Sequence, residues 1–168
     1  MLVLFFSIIF IILYFGLNKV EKYVPEKITN NNIIKFSAKD LFSQKEIDFN
    51  SLVNNNKLTI INIWASWCQP CREEHPYLMK LGNNKNINLI GIVYKDNYKN
   101  SKKFLNSFGN PFSKVLVDKS GIISINLGAY GVPETYIINS DKIILKKYIG
   151  PLKEKNFSEI SKLANEIN

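Results

Sequence analysis

Residues 64–78 read WASWCQPCREEHPYL, and this stretch decides the fold. Residues 58–65, LTIINIWA, lead into it, and their length and β-branched content predict a buried central strand rather than a helix. Pro70 suits the first turn of a helix, and Gly82 is expected to close that helix. The sequence therefore predicts that a strand passes directly into a helix at Cys68.

The two cysteines are separated by two residues, so that one disulfide can close across the first helical turn. Cys68 would lie at the helix N-terminus, where unpaired N–H groups and the positive end of the helix dipole stabilise a thiolate. We therefore expect its pKa to fall below the free-cysteine value of about 8.5. A thiolate attacks a disulfide sulfur, and Cys71, one turn further in and more buried, is placed to resolve the mixed disulfide. This arrangement predicts thiol–disulfide exchange.

Two other interpretations of the cysteine pair are open. One is a zinc site, which would need Cys68, Cys71, His75 and a carboxylate as ligands because the chain has no second pair of cysteines. A purely structural disulfide is the other, although so short a loop adds little chain-entropy stabilisation. We expect His75 on the helix surface, and no metal site is predicted.

The rest of the chain alternates short β-rich runs with helical patterns. Their order is β-β, then β-α-β-α-β, then β-β-α, which predicts an α/β fold with a mixed central sheet flanked by helices. The predicted strands are 33–36, 46–49, 58–65, 87–94, 114–117, 135–138 and 143–148. The predicted helices are 70–81, 99–108 and 157–167, with a short helix or turn at 122–127.

Composition excludes several classes of protein. Of 168 residues, 46% are hydrophobic and 21% are charged, which excludes an intrinsically disordered chain and a polytopic membrane protein. Lysine and arginine number 22 against 14 acidic residues, giving a net charge of +8. The largest local basic pairs, Lys102-Lys103 and Lys146-Lys147, lack the aromatic interleaving of a nucleic-acid surface, so nucleic-acid binding is not predicted.

The N-terminal residues 1–17, MLVLFFSIIFIILYFGL, contain no charged side chain and have no polar face. As a helix they would span about 25 Å, a little less than the hydrocarbon core of a bilayer. We predict an uncleaved single-pass transmembrane anchor, a tether at 18–32 and a domain at 33–168; a cleaved signal peptide is the alternative. Lysines follow the apolar run and none precedes it, so a strict positive-inside count would place the domain in the cytoplasm.

Three segments together carry a resemblance to a known family. They are WASWCQPCREEHPYL at 64–78, YKDNYKNSKKFLNSFGNPFSKVLVD at 94–118 and GAYGVPETYIIN at 128–139. The chain resembles the DsbE/CcmG-type thiol:disulfide interchange proteins of cytochrome c biogenesis, within the TlpA-like proteins of the thioredoxin-like superfamily. The resemblance implies a thioredoxin-like fold held at the bacterial inner membrane by a single span, with the catalytic domain on the periplasmic side.

The resemblance also assigns site residues beyond Cys68 and Cys71. Pro133 would follow a cis peptide bond, leaving the Val132 backbone free to pair with an extended substrate strand; from composition alone a trans turn is equally open. Glu74 matches an acidic position that raises thiol pKa values and shuttles protons, with a solvated surface acid as the alternative. Glu134 matches a second acidic position that tunes the thiols or contacts partners, with an ordinary strand-edge charge as its alternative. The substrate groove would be lined by Trp67, Tyr130 and Val132.

The function implied by the resemblance is reduction of disulfides in apocytochrome c or in a thiol protein of the haem-ligation machinery. A membrane electron donor of the DsbD/CcdA type would restore the reduced pair, because reducing work in an oxidising compartment needs such a supply. No bound cofactor is expected. A general periplasmic thioredoxin-like reductant and a non-catalytic module that binds apocytochrome are the alternatives.

Overall fold

A computed structural model describes residues 2–18, 33, 35–53 and 57–166. The helices are α1 (Leu2–Asn18), α2 (Gln69–Gly82), α3 (Tyr98–Phe108), α4 (Ile122–Asn126) and α5 (Glu154–Asn165). The strands are β1 (Ser37–Asp40), β2 (Glu46–Asp48), β3 (Leu58–Trp64), β4 (Ile87–Tyr94), β5 (Lys114–Asp118), β6 (Glu134–Ile138) and β7 (Ile144–Ile149). A short 3₁₀ helix, Phe49–Leu52, follows β2.

The seven strands form one mixed sheet in the order β2-β1-β5-β4-β3-β6-β7. The neighbours β3, β4 and β5 are parallel, as expected for strands joined by crossover helices. Strands β1, β2, β6 and β7 add to the two sides of this unit in antiparallel pairs. The predicted α/β fold with a mixed central sheet is confirmed.

Strand β3 lies in the middle of the core, because all seven of its side chains are buried. Leu58 and Ile60 pack on the face covered by α2, α3 and α5. Ile61 and Ile63 point to the opposite face, where they meet the region of the 3₁₀ helix and α4. The alternation follows from the two-residue period of a strand, and it places the end of β3 and the start of α2 on the helix-rich face.

The predicted starts of the first strand and of the last helix were wrong, since α5 begins at Glu154 rather than at residue 157. The first strand begins at Ser37 rather than at residue 33, although the predicted hairpin with β2 is present. Helix α2 ends at Gly82, as predicted, and Asn83 follows in right-handed geometry. A Cβ at Gly82 would lie 2.2 Å from the carbonyl oxygen of Pro111, so close approach of this backbone explains the glycine.

In the N-terminal helix α1, the apolar side chains of residues 5–14 are exposed, among them Phe5, Phe10 and Ile12. Of the helices that the structure describes, none has both the length and the apolar content needed to cross a membrane. The predicted tether lies outside the described residues, apart from Asn18 at the end of α1.

Candidate active site

Cys68 and Cys71 form a disulfide at the start of α2, with their Cα atoms 5.3 Å apart. Cys68 is the N-cap residue, and its sulfur accepts a hydrogen bond of 3.2 Å from the backbone N–H of Cys71. That N–H is one of the unpaired donors of a helix N-terminus, and it favours negative charge on the sulfur once the disulfide is reduced. The local structure therefore matches the predicted setting of a nucleophilic thiolate.

The sequence predicted that Cys71 is more buried than Cys68, but the two side chains are equally buried. Cys68 is 3% exposed and Cys71 is 2% exposed. Their positions do distinguish them, because Cys68 precedes the first helical residue whereas Cys71 lies within the first turn. The roles of attacking and resolving thiol therefore depend on position in the helix rather than on exposure.

The loop before Cys68 is fixed by Asp96, a residue that sequence reasoning missed. One oxygen of its carboxylate accepts the backbone N–H of Ser66 at 2.7 Å and the hydroxyl of Ser101 at 2.9 Å. The Trp67 indole donates to the carbonyl of Lys95 at 3.4 Å, and its ring is 58% exposed beside the disulfide. The prediction that Trp67 lines a substrate groove stays a prediction.

Glu74 lies on the buried side of α2 and is fully buried, so its interpretation as a solvated surface acid is wrong. The Asn62 side-chain amide and the backbone N–H of Leu152 each donate a hydrogen bond of 2.8 Å to its carboxyl oxygens. Burial raises the pKa of Glu74 to about 7, against the lowering effect of these two hydrogen bonds. Glu74 lies three residues after Cys71, on the same side of the helix, and can hold or release a proton near neutral pH.

The Val132–Pro133 peptide bond is cis, as the resemblance implies. Glu134 follows it and is buried, so it is not an ordinary strand-edge charge. One carboxylate oxygen accepts the backbone N–H groups of Tyr130 and Gly131, at 2.7 Å and 3.3 Å. Glu134 thus holds the loop that carries the proline, and this contact gives it a positioning role.

Lys147 completes the support of the proline loop, and sequence reasoning treated it only as half of a basic surface pair. Its ammonium group lies 2.7 Å from the Glu134 carboxylate and donates to the Gly128 carbonyl at 2.7 Å. It also lies 4.5 Å from the centre of the Tyr130 ring, whose side chain is exposed. Lys146 and Lys147 are neighbours in β7, so the strand period sends them to opposite faces, and that signal was available in the sequence.

His75 is buried, which corrects the prediction of a surface histidine. Its Nε2 lies 3.1 Å from the carbonyl oxygen of Gly109, and its ring contacts Phe104 and Phe108 edge-on. Burial lowers the pKa of His75 below its ordinary value. Among the residues that the structure describes, no group of three or more histidine, cysteine or acidic side chains is arranged to hold a metal ion.

The predicted site residues fall on two sides of the sheet. Glu74 lies with the cysteines on the helix-rich face of the sheet. On that face the Asn62 side chain of β3 bonds both Glu74 and Thr135 of β6. Glu134 points to the other face, because the Tyr136 hydroxyl donates to it at 2.9 Å. Val132 packs against both core clusters and so lies between the two sides. The catalytic roles of Glu74, Pro133 and Glu134 stay predictions.

Comparison with known proteins agrees with this geometry. Residues 28–167 match the model of the Redoxin family. The thiol:disulfide interchange protein CycY of Rhizobium leguminosarum bv. viciae is 44% identical over 95 residues, which cover 56% of this chain and 51% of CycY. The probable thiol:disulfide interchange protein DsbE-2 of Pasteurella multocida is 34% identical over 150 residues, covering 89% of this chain and 78% of that relative. The chain thus spans about half the length of CycY and 78% of the length of DsbE-2.

A solved structure shows the same fold. The thioredoxin domain of a thiol-disulfide oxidoreductase from Bacteroides vulgatus superposes with a TM-score of 0.69 at 17% identity, covering 82% of this chain and 98% of that domain. The sheet described above is therefore the thioredoxin-like sheet, and the disulfide lies at the start of its first crossover helix. By its redox pair and its relatives, the chain belongs to the Redoxin family and, within it, to the thiol:disulfide interchange proteins of the DsbE type.

Proposed function

We propose that this chain reduces a disulfide in apocytochrome c, or in a thiol protein of haem ligation, during cytochrome c maturation. The observation that carries the proposal is the Cys68–Cys71 disulfide at the N-terminus of α2, followed after one turn by the buried carboxyl of Glu74. Thiol–disulfide exchange needs a stabilised thiolate and a nearby group that can take a proton. Both parts are present in one helix.

The reaction begins with both cysteines reduced. The Cys68 thiolate attacks one sulfur of the client disulfide, a mixed disulfide forms, and the other client sulfur leaves as a thiolate. Cys71 then loses its proton and attacks the Cys68 sulfur, which releases the second client sulfur and forms the Cys68–Cys71 bond. Two electrons pass to the client, which also gains two protons, and Glu74 is proposed as the group that accepts the Cys71 proton.

The exposed Trp67 ring and the loop at Val132 would receive the client beside the disulfide. Pro133 has no N–H, so the backbone of Val132 can pair with an extended segment of the client. The side chain of Tyr130 is exposed at the same loop. These surfaces explain how a polypeptide disulfide, rather than a small molecule alone, could be presented to Cys68.

We further propose that α1 anchors the domain to the inner membrane and that the domain faces the periplasm. The support is the run of exposed apolar side chains in α1 and the lack of charge in residues 2–17. A membrane electron donor of the DsbD/CcdA type would return the disulfide to the dithiol state. Alkaline phosphatase fused after residue 168 tests the orientation, since that enzyme folds only in an oxidising compartment; an inactive fusion contradicts a periplasmic domain.

Capture of clients by a Cys71→Ser variant tests the function. Without the resolving thiol the mixed disulfide persists, and mass spectrometry identifies the protein attached to Cys68. Apocytochrome c or a haem-ligation thiol protein is the expected capture, and a Cys68→Ser variant is expected to capture none. A broad set of unrelated clients would indicate a general reductant instead. Normal cytochrome c assembly with both cysteines replaced by serine would indicate a binding module without turnover.

A further inference from the structure

A cleft of about 340 Å³ lies between the start of α2 and helix α3, directly beside the active-site loop. Ser66 and Trp67, the two residues before the nucleophile, form one wall. Arg72 on α2 and Lys103 on α3 contribute the charged groups, and Phe108 adds an exposed apolar side chain. Apart from Trp67, the residues of this cleft have no part in the exchange reaction described above.

Arg72 bridges the loop before Cys68 and two aromatic rings of α3. Its guanidinium donates to the Ser66 carbonyl at 3.4 Å and lies 5.9 Å and 5.6 Å from the ring centres of Phe104 and Phe108. A guanidinium has five N–H donors in a planar fork suited to a carboxylate, more than the Ser66 carbonyl takes up. The stacking therefore pre-organises a charged donor next to the disulfide.

Both charged side chains that line the cleft, Arg72 and Lys103, are cationic. Helix α3 contains three lysines and no acidic residue in its sequence YKNSKKFLNSF. The Asp96 carboxylate lies behind the Ser66 wall, is not among the residues that line the cleft, and accepts hydrogen bonds from Ser66, Asn97 and Ser101. An anionic group is the occupant that this electrostatic field favours.

We propose that the cleft binds an aspartate or glutamate side chain of the client, placed a few residues from the cysteine that Cys68 attacks. This inference rests on the proposed reductase function and names a sequence preference of its client. An extended chain advances at most about 3.6 Å per residue, so a residue seated between Trp67 and Arg72 must be close in sequence to the client cysteine. The exposed Trp67 ring would pack against the client backbone between the client cysteine and the acidic residue.

Three disulfide-bonded peptides test the preference. They are identical except for one residue beside a cysteine, which is Glu, Gln or Lys. Single-turnover rate constants are measured with the reduced full-length chain, and each is divided by the rate constant with dithiothreitol, which removes the effect of the neighbouring charge on the peptide sulfur. We expect the corrected rate for the Glu peptide to exceed that for the Lys peptide by about three- to tenfold, the scale of a partly exposed charge contact. High ionic strength should reduce the ratio.

Charge-removing variants locate the preference. Arg72→Gln and Lys103→Gln should each lower the Glu-to-Lys ratio, and Arg72→Lys should restore part of it. Lys162→Gln removes the same charge from an exposed position on α5 and should leave the ratio unchanged.

Three outcomes contradict the cleft alone while the reductase function stands: equal corrected rates for the three peptides, an unchanged ratio in Arg72→Gln, or an equal fall in Lys162→Gln. If no peptide is reduced at all, the proposed function fails, and the cleft proposal fails with it.

Discussion

The ammonium group of Lys147 lies 2.7 Å from the carboxylate of Glu134, and both side chains are buried, at 9% and 1% exposure. Lys147 lies in β7, and Glu134 begins the neighbouring strand β6, directly after the cis-proline loop. A charge of either sign left alone there would lack both water and a counter-charge. The pair therefore ties the shape of the cis-proline loop to the integrity of the sheet.

Glu134→Ala should lower the free energy of unfolding by about 3–5 kcal/mol, because it leaves Lys147 buried without its counter-charge. The N–H groups of Tyr130 and Gly131 would also lose their acceptor. Urea unfolding of the oxidised protein measures the loss. The double variant with Lys147→Met should lose less than the sum of the two single losses, since no charge then remains unpaired; strictly additive losses would contradict the pairing.

The stability of the oxidised protein should decrease as pH rises from about 5 to about 8, through the titration of Glu74. Its folded pKa is about 7, above the ordinary value of 4.5, so the folded state holds the proton more tightly than the unfolded state. The stability gained from this proton is complete below the unfolded pKa and is lost as pH passes the folded pKa; the loss is roughly 3 kcal/mol.

The matched control is Glu74→Gln, which cannot titrate. The difference between the two pH profiles isolates Glu74, because His75 titrates in both proteins. The lowered pKa of His75 has the opposite sign: its contribution falls as pH decreases through the unfolded value near 6.5. Parallel profiles for the wild type and Glu74→Gln would show that Glu74 does not carry the dependence.

Asp96→Ala should destabilise the fold by about 2 kcal/mol and should alter the reactivity of Cys68. The carboxylate anchors the backbone of Ser66 two residues before the nucleophile, and hydrogen bonds to charged groups contribute at about this level. Urea unfolding gives the stability, and the pH dependence of Cys68 alkylation in the reduced protein gives the thiol pKa. Ser101→Ala, which removes one of the other bonds to Asp96, should have a smaller effect on both measurements.

Gly82→Ala should cost at least about 2 kcal/mol of stability, because the new methyl group would meet the backbone of Pro111 rather than a movable side chain. Alanine otherwise favours a helix, so a substitution governed by helix propensity would raise stability by about 1 kcal/mol. The sign of the change in thermal unfolding therefore decides between the two effects. Gly131→Ala, where no heavy atom lies within 4 Å of the added Cβ, is the control and should change stability by less than about 0.5 kcal/mol.

Local patterns in the sequence were sufficient for most of the fold. Continuous apolar runs identified β3 and β4, with β4 correct at both ends, and the Asn139–Lys142 turn identified the β6–β7 hairpin. The first strand was misplaced by four residues, because the apolar residues before Ser37 looked like a strand, whereas β1 begins at Ser37.

The contacts that define the site were harder to predict, because they join residues far apart in sequence. Asn62 reaches Thr135 across 73 positions, and that contact depends on the register between β3 and β6, which no local pattern encodes. The burial of His75 likewise depends on the packing of α3 against α2 through Phe104. The cysteines were predictable because their chemistry depends on a local strand-to-helix turn alone.

The hydrogen bond from Leu152 to Glu74 joins residues 78 positions apart, and it has a consequence for the order in which the protein is made. Both cysteines leave the ribosome well before Leu152 is translated. Until β7 and the start of α5 have been synthesised and docked, the carboxyl beside the nascent thiols lacks this donor. The carboxyl beside the redox pair therefore acquires this hydrogen-bond donor only after the chain has been made as far as Leu152.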